Sequence, residues 1–185
     1  MGSNDLKLSQ KTNRNEAIVE LVETSLVPDA QNTRAYRDAL GKFGTGVTVV
    51  TINGENGPIG MTANSFASVS LDPALVLWSL SKSSGRYQPY FDASDYAIHV
   101  LQENQGYMAT GFAKNADFFG QCDWHKNGSD VPLINGTLAR FECKQVAVHD
   151  AGDHVIIVGK VHRVTSVDGK PLLFAGGDFG RFETP

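Results

Sequence analysis

Small and hydroxylic residues bracket an apolar run between Gly60 and Ser84, GMTANSFASVSLDPALVLWSLSKSS. Ser, Thr and Gly at both ends of a strand leave backbone N–H groups uncovered and add hydroxyl donors, the makings of an anion-binding nest. Such a cradle suits a phosphate or an electron-rich planar ring; the plainer alternative is a pair of turns flanking a core strand. At the first end stand Thr62, Ala63, Asn64 and Ser65, small enough for backbone to approach a ligand and carrying hydroxyl and amide groups. At the second end, Ser79, Leu80, Ser81, Lys82, Ser83 and Ser84 lead into Gly85-Arg86. Their hydroxyls and two cations can hold a phosphate through charge-assisted hydrogen bonds, or simply form a solvated loop. Trp78 packs either beside a planar ligand or in the core.

His154 follows Gly152-Asp153 at the start of a strand-like run, where a side chain can reach a cleft or cap a β-turn. His99 lies in an apolar segment and reads as a satisfied structural group or the neighbour of a ligand site. His125, His149 and His162 are spaced as no simple metal motif would be. Cys122 and Cys143 make no C-x-x-C pair, which argues against dithiol redox chemistry and structural zinc. Cys143, inside Leu138-Ala-Arg-Phe-Glu-Cys143, is expected to be a buried strand thiol. No serine, histidine and acid are placed recognisably for nucleophilic catalysis. No G-x-G-x-x-G follows a strand, so a Rossmann dinucleotide fold is excluded.

The elements that must position these residues are mainly strands. Gly46–Ile52 is rich in β-branched residues and turns through Asn53-Gly54 and Gly57-Pro58 into a returning strand, Ile59–Thr62. Ala74–Leu80, Tyr96–Leu101, Leu138–His149, His154–Ser166 and Pro171–Ala175 read as further strands, with a hairpin at 150–153. Short helices are expected over 15–24, 33–42 (Thr33 as N-cap), 84–91 and 105–112. Six or more strands in hairpins with few helices disfavour a parallel α/β sheet. The expected fold is mostly β, an antiparallel closed barrel with a few peripheral helices, because closure removes unpaired edges.

The 185 residues suggest one domain, 31–185, preceded by a partly disordered arm, 1–30. A net charge of −4 and a pI near 5.7 argue against a broad basic surface for nucleic acid. No 18-residue apolar run and no signal-peptide pattern are present, so no membrane association and a cytoplasmic location are the default expectations.

Met61-Thr-Ala-Asn-Ser-Phe-Ala-Ser-Val-Ser-Leu-Asp-Pro73, followed by Leu75-Val-Leu77 and Ser83-Ser84, resembles the signature of the short-chain flavin reductases. These are FMN-binding split-barrel proteins that serve two-component flavin monooxygenases. Ala97-Ile-His-Val-Leu101, Phe112-Ala-Lys114, Gly152-Asp-His154, Gly159-Lys-Val161 and Pro171-Leu-Leu-Phe174 match in order, and the resemblance spans roughly Tyr36 to Phe182. It implies a split barrel, a homodimer, and hydride transfer from NADH or NADPH to FMN or FAD, the reduced flavin passing to a partner monooxygenase. Met61, Thr62, Ala63, Asn64 and Ser65 would line the flavin ring and ribityl chain. Ser79, Leu80, Lys82, Ser83 and Ser84 would grip its phosphate, with Trp78 near the ring. Phe112 and Lys114 belong to an element that closes over the cofactor, Lys114 as a second charge for the phosphate. His154 would occupy the catalytic cleft and orient the dinucleotide, since hydride transfer itself needs no general acid. Many members carry Tyr-Arg-Gly-x-Tyr after the Leu-Leu-Phe strand. Here 175–179 reads Ala-Gly-Gly-Asp-Phe, a departure that bears on nicotinamide binding more than on flavin. The alternatives are an FMN-binding electron carrier reduced by a protein partner and, more remotely, a barrel for another ligand such as haem.

Overall fold

A computed structural model describes residues 7–8 and 21–184. The chain divides into two compact units, Met1–Lys42 and Phe43–Pro185. In the first, β1 (Lys7–Leu8) pairs antiparallel with β2 (Leu21–Val22), and α1 spans Thr33–Leu40. The helix expected over 15–24 lies largely outside the described residues; its described part at Leu21–Val22 is extended instead. Thr33 is the first helical residue rather than the cap, which is Asn32. The turn before it is held by Asp29, whose Oδ1 accepts the N–H groups of Gln31 and Asn32.

In the second unit the strands are β3 (Thr45–Gly46), β4 (Thr48–Gly54), β5 (Gly57–Ala63), β6 (Ala67–Leu71) and β7 (Ala74–Ser81). They continue with β8 (Asp95–Val100), β9 (Trp124–Lys126), β10 (Pro132–Ile134), β11 (Ala139–Ala151), β12 (His154–Ser166), β13 (Leu172–Ala175) and β14 (Asp178–Arg181). The helices are α2 (Tyr87–Asp92) and α3 (Gly106–Lys114). Seven strands form an antiparallel sheet in the order β5-β4-β8-β11-β12-β7-β6; β14-β13-β3 and β10-β9 form small sheets. No described helix is long and apolar enough to cross a membrane.

The expected closed barrel is corrected here: no sheet closes on itself, and β5 and β6 remain edges. Unpaired edges are managed by other means than closure. Beside β5 lies α3 with the residues that follow it: Thr62 Oγ1 donates to the Ala109 carbonyl at 2.7 Å, and the Gly60 N–H to Ala116 at 3.0 Å. β6 is five residues long and carries a register shift between Ser68 and Ser70, both devices that blunt an edge. The long β11–β12 hairpin joins two halves. β8 pairs with β11 through Ala139–Lys144, whereas β7 pairs with β12 through His154–Lys160. Register shifts at Glu142/Cys143 and Gln145/Ala147 flank the Lys144–Lys160 pair, where the two halves meet.

Alternation on β7 sends Val76, Trp78 and Leu80 into one apolar cluster with Tyr90, Tyr96 and Ile157. Trp78 meets Tyr90 and Tyr96 edge-on at 5.4 and 6.3 Å between ring centroids. Gly159 lies under the Tyr96 hydroxyl, where any Cβ would overlap it; close approach, not a turn, demands glycine here. A second cluster gathers Val47, Val49, Leu101, Met108 and Phe119 around Phe112. Fully burying Phe112 contributes roughly 2–3 kcal/mol and seats α3.

Candidate functional site

Thr62, Ala63 and Asn64 at the end of β5 face one side of α3 across a cavity of about 350 Å³. The helix presents Ala109, Thr110, Ala113 and Lys114 to it, while Phe174 on β13, Phe179 on β14 and Val47 complete the wall. On α3 the residues Ala109 and Ala113 are one turn apart, so small side chains stack on one face while Met108 and Phe112 are buried. Thr62 is oriented by its bond to Ala109 and holds the strand against the helix. Phe174 and Phe179 meet edge to face at 5.6 Å. The cavity is mainly apolar, with hydroxyl and amide groups at one side and the Lys114 ammonium at the carbonyl end of the helix. A planar aromatic molecule bearing an anionic tail fits that donor set.

The serine loop is reached from the same helix. Arg86 donates from Nη1 to the carbonyls of Gly60 (3.1 Å) and Phe112 (2.5 Å), and from Nη2 to Ala113 (3.3 Å). It thereby ties the loop to the helix end that carries Lys114. Arg86 is a clamp, with its donors engaged by backbone oxygens rather than held for a phosphate. Within the loop Ser81 Oγ and Ser83 Oγ are 2.9 Å apart, and Ser84 Oγ accepts the Arg86 N–H at 3.1 Å. Lys82 Nζ bonds Asp150 Oδ1 and the Gly152 carbonyl (2.6 Å), anchoring the loop to the β11–β12 turn.

Of the residues singled out in the sequence, the cavity thus unites Thr62, Ala63, Asn64 and Lys114. Met61 packs against the first apolar cluster. Ser65 accepts the Ser79 N–H at 2.9 Å and fastens β5's exit to β7. Trp78, Leu80 and Phe112 are 1%, 0% and 0% exposed and pack in the two apolar clusters, and none of the three lines the cavity. His154 lies opposite Ser81 at the start of β12, half exposed, with Nδ1 2.7 Å from Asp153 Oδ1. It does not line the cavity. That hydrogen bond holds the Asp153 carboxyl below its ordinary pKa. His99 is structural: its Nε2 accepts the Ile134 N–H at 3.0 Å, so Nδ1 carries the proton and donates to Val49 at 3.1 Å. Burial pushes its pKa down to about 3. Both cysteines are free, and burial pushes the Cys143 thiol up to about 12.

Val47, Ala109, Thr110, Ala113, Phe174 and Phe179 are the lining residues that sequence reasoning missed. The spacing of Ala109 and Ala113 was the available signal. Phe174 and Phe179 stood in the strand and tail already singled out, without a cavity to put them in.

Residues 40–183 match the flavin reductase like domain. The chain is 56% identical over 167 residues to the FMN reductase (NADH) SmoA of Agrobacterium fabrum, covering 90% of this chain and 96% of that protein. It is 48% identical to the reductase component of the flavin-dependent trigonelline monooxygenase of Acinetobacter baylyi over 82% of this chain, and spans about half, 50%, of that relative's length. The NADH:FAD oxidoreductase SgcE6 of Streptomyces globisporus superposes with a TM-score of 0.81 at 38% identity, covering 89% of this chain and 96% of that one.

Proposed function

The chain belongs to the flavin reductase family, as an NAD(P)H-dependent flavin reductase that supplies reduced flavin to a partner monooxygenase, and from this premise we propose that FMN is reduced by NADH at the cavity between β5 and α3. The observation that carries the placement is the gathering of Thr62, Ala63, Asn64 and Lys114 around one aromatic-walled slot. The preference for FMN and NADH draws on SmoA, the relative whose name states both.

The residues present fit a flavin. Ala63, Ala109 and Ala113 keep the walls low enough for a tricyclic ring, and Phe174 and Phe179 offer aromatic surface. When bound, the flavin supplies the two-electron redox centre, and the protein supplies binding, orientation and electrostatics. Asn64 and the backbone around Thr62 donate hydrogen bonds to the ring's polar edge. Lys114 and the Ser83-Ser84 segment take the phosphate. Lys114 makes no ion pair among the described residues. Arg86 holds loop and helix at the spacing this requires. His154 contacts the dinucleotide as a positioning group. The protein acts as a cytoplasmic homodimer.

The test is anaerobic stopped-flow mixing of flavin-loaded protein with NADH or NADPH. The oxidised flavin band should bleach within seconds, faster with NADH. A band that persists at millimolar concentrations of either nucleotide, yet bleaches with dithionite, would overturn this reading in favour of a protein-fed electron carrier.

A further inference from the structure

A second cavity, of about 380 Å³, opens where the β9–β10 hairpin meets the start of β11 and the end of β12, and shares no lining residue with the first. It is as polar as the first is apolar. Glu142 lies at its base, 4% exposed, and β-pairing sets Arg163 directly across from it, with Arg140 two residues earlier on the same strand. A buried carboxylate needs close partners. Glu142 has one: Asn127 Nδ2 donates to Oε2 at 2.7 Å. Both guanidiniums stand further off, with Arg163 Nε at 3.7 Å and Arg140 Nε at 3.9 Å from Oε1, beyond hydrogen-bonding distance.

The arginines are therefore held near Glu142 without being satisfied by it. Arg140 Nε is buried and has no hydrogen-bond partner, and Nη2 reaches only Thr165 Oγ1 at 3.5 Å. Two guanidiniums face one carboxylate, and His125 and His162 line the same space. Among the described residues no group of three or more His, Cys, Asp or Glu is placed to hold a metal, so the histidines do not make this a cation site. An excess of planar donor forks with an orphaned N–H matches an acceptor with several oxygens on one centre.

We propose that the cavity bounded by Arg140, Arg163, His125 and His162 is a second ligand site, taking a phosphoryl group. The phosphoryl group could come as inorganic phosphate or as the phosphate of a nucleotide. Arg140 supplies the buried N–H, and Arg163, 70% exposed along its side chain, closes the mouth. Glu142 sets the approach of both.

Calorimetric titration at low ionic strength, first with inorganic phosphate and then with AMP, tests this. The protein is the Ser83→Ala/Ser84→Ala double variant, so that the serine loop does not contribute. Saturable binding is expected, weakened at least tenfold by Arg163→Gln, whose exposed position leaves folding intact, and also by Arg140→Lys, which keeps the charge and loses the fork. FMN affinity should be the same with and without Arg163→Gln in the wild-type background, which separates this site from the flavin cavity. Equal affinity for phosphate and AMP assigns the site to the phosphoryl group alone; AMP tighter by tenfold assigns it to a nucleotide. The proposal is overturned by the lack of saturable binding, by binding that survives both substitutions, or by a change of oligomeric state in Arg163→Gln without phosphate binding, which would make the cavity a contact between copies.

Discussion

His99 shows how little a residue's type says about its use. Its two ring nitrogens are both bonded to backbone, and the ring is fully buried, so it titrates only by breaking a strand–hairpin contact. Because its pKa is lowered on folding, the unfolded chain binds a proton that the folded chain refuses. Stability should be fully present above about pH 6.5 and fall as pH drops toward 3, by up to about 1.4 kcal/mol per pH unit from this group. Urea unfolding of wild type and His99→Gln at pH 5 and 7 checks it; equal pH dependence in the two would discard the assignment. His154, by contrast, stands half exposed at the start of β12. In His154→Asn the KM for NADH should rise severalfold with kcat nearly unchanged and FMN affinity intact, the pattern of a contact made equally in ground and transition states. A fall in FMN affinity with both nucleotide constants unchanged would place the ring on the flavin side. At this scale the sequence was readable where side-chain size alone decided, as at Thr62, Ala63 and Asn64. It was not readable where partners lie far along the chain. Nothing local to Arg86 announces the carbonyls of Gly60, Phe112 and Ala113. Strand alternation gives Trp78 an inward face, but whether that face meets core or ligand depends on Tyr90 and Tyr96.

Among the elements, α3 depends on that same arginine. A helix ends with carbonyls that have no partner within it, and Arg86 satisfies two of these while bonding the facing strand. Arg86→Met should therefore destabilise the fold by roughly 2–4 kcal/mol, since hydrogen bonds to charged donors are worth about 1.5–3 kcal/mol each and partly share geometry. It should also weaken FMN binding by moving the serine loop and Lys114 apart. Thermal unfolding and fluorescence titration report the two effects, and a variant as stable as wild type would refute the clamp. The long strands and the β11–β12 turn were visible in the sequence because many alternating positions and a Gly-Asp pair mark them. β9, β10 and β14 were not, being three or four residues long and too short to show a period. The glycine-rich stretch after Phe174 carries no such period, although Phe179 returns along β14 to the cavity wall.

For the molecule as a whole, antiparallel architecture followed from the hairpins, whereas closure did not, because sequence patterns mark strands and turns but not which neighbour a strand's far half will take. The β11–β12 hairpin is where that choice is made. Past Lys160, β12 loses β7 and keeps β11 alone. Its amides should consequently record two regimes of hydrogen–deuterium exchange along one strand. From Val155 to Lys160, successive N–H groups alternate between two bonded neighbours, and all should exchange slowly, by cooperative opening only. From Val161 to Ser166, only the amides turned toward β11 are protected, and every second one should exchange at near-solvent rates in isolated protomers. Site-resolved exchange measured across protein concentration reads this directly. Uniform slowness beyond Lys160 at high dilution would mean that β12 has no free edge there. Slowing that appears only as concentration rises would identify the bare flank as the place where two copies of the chain meet.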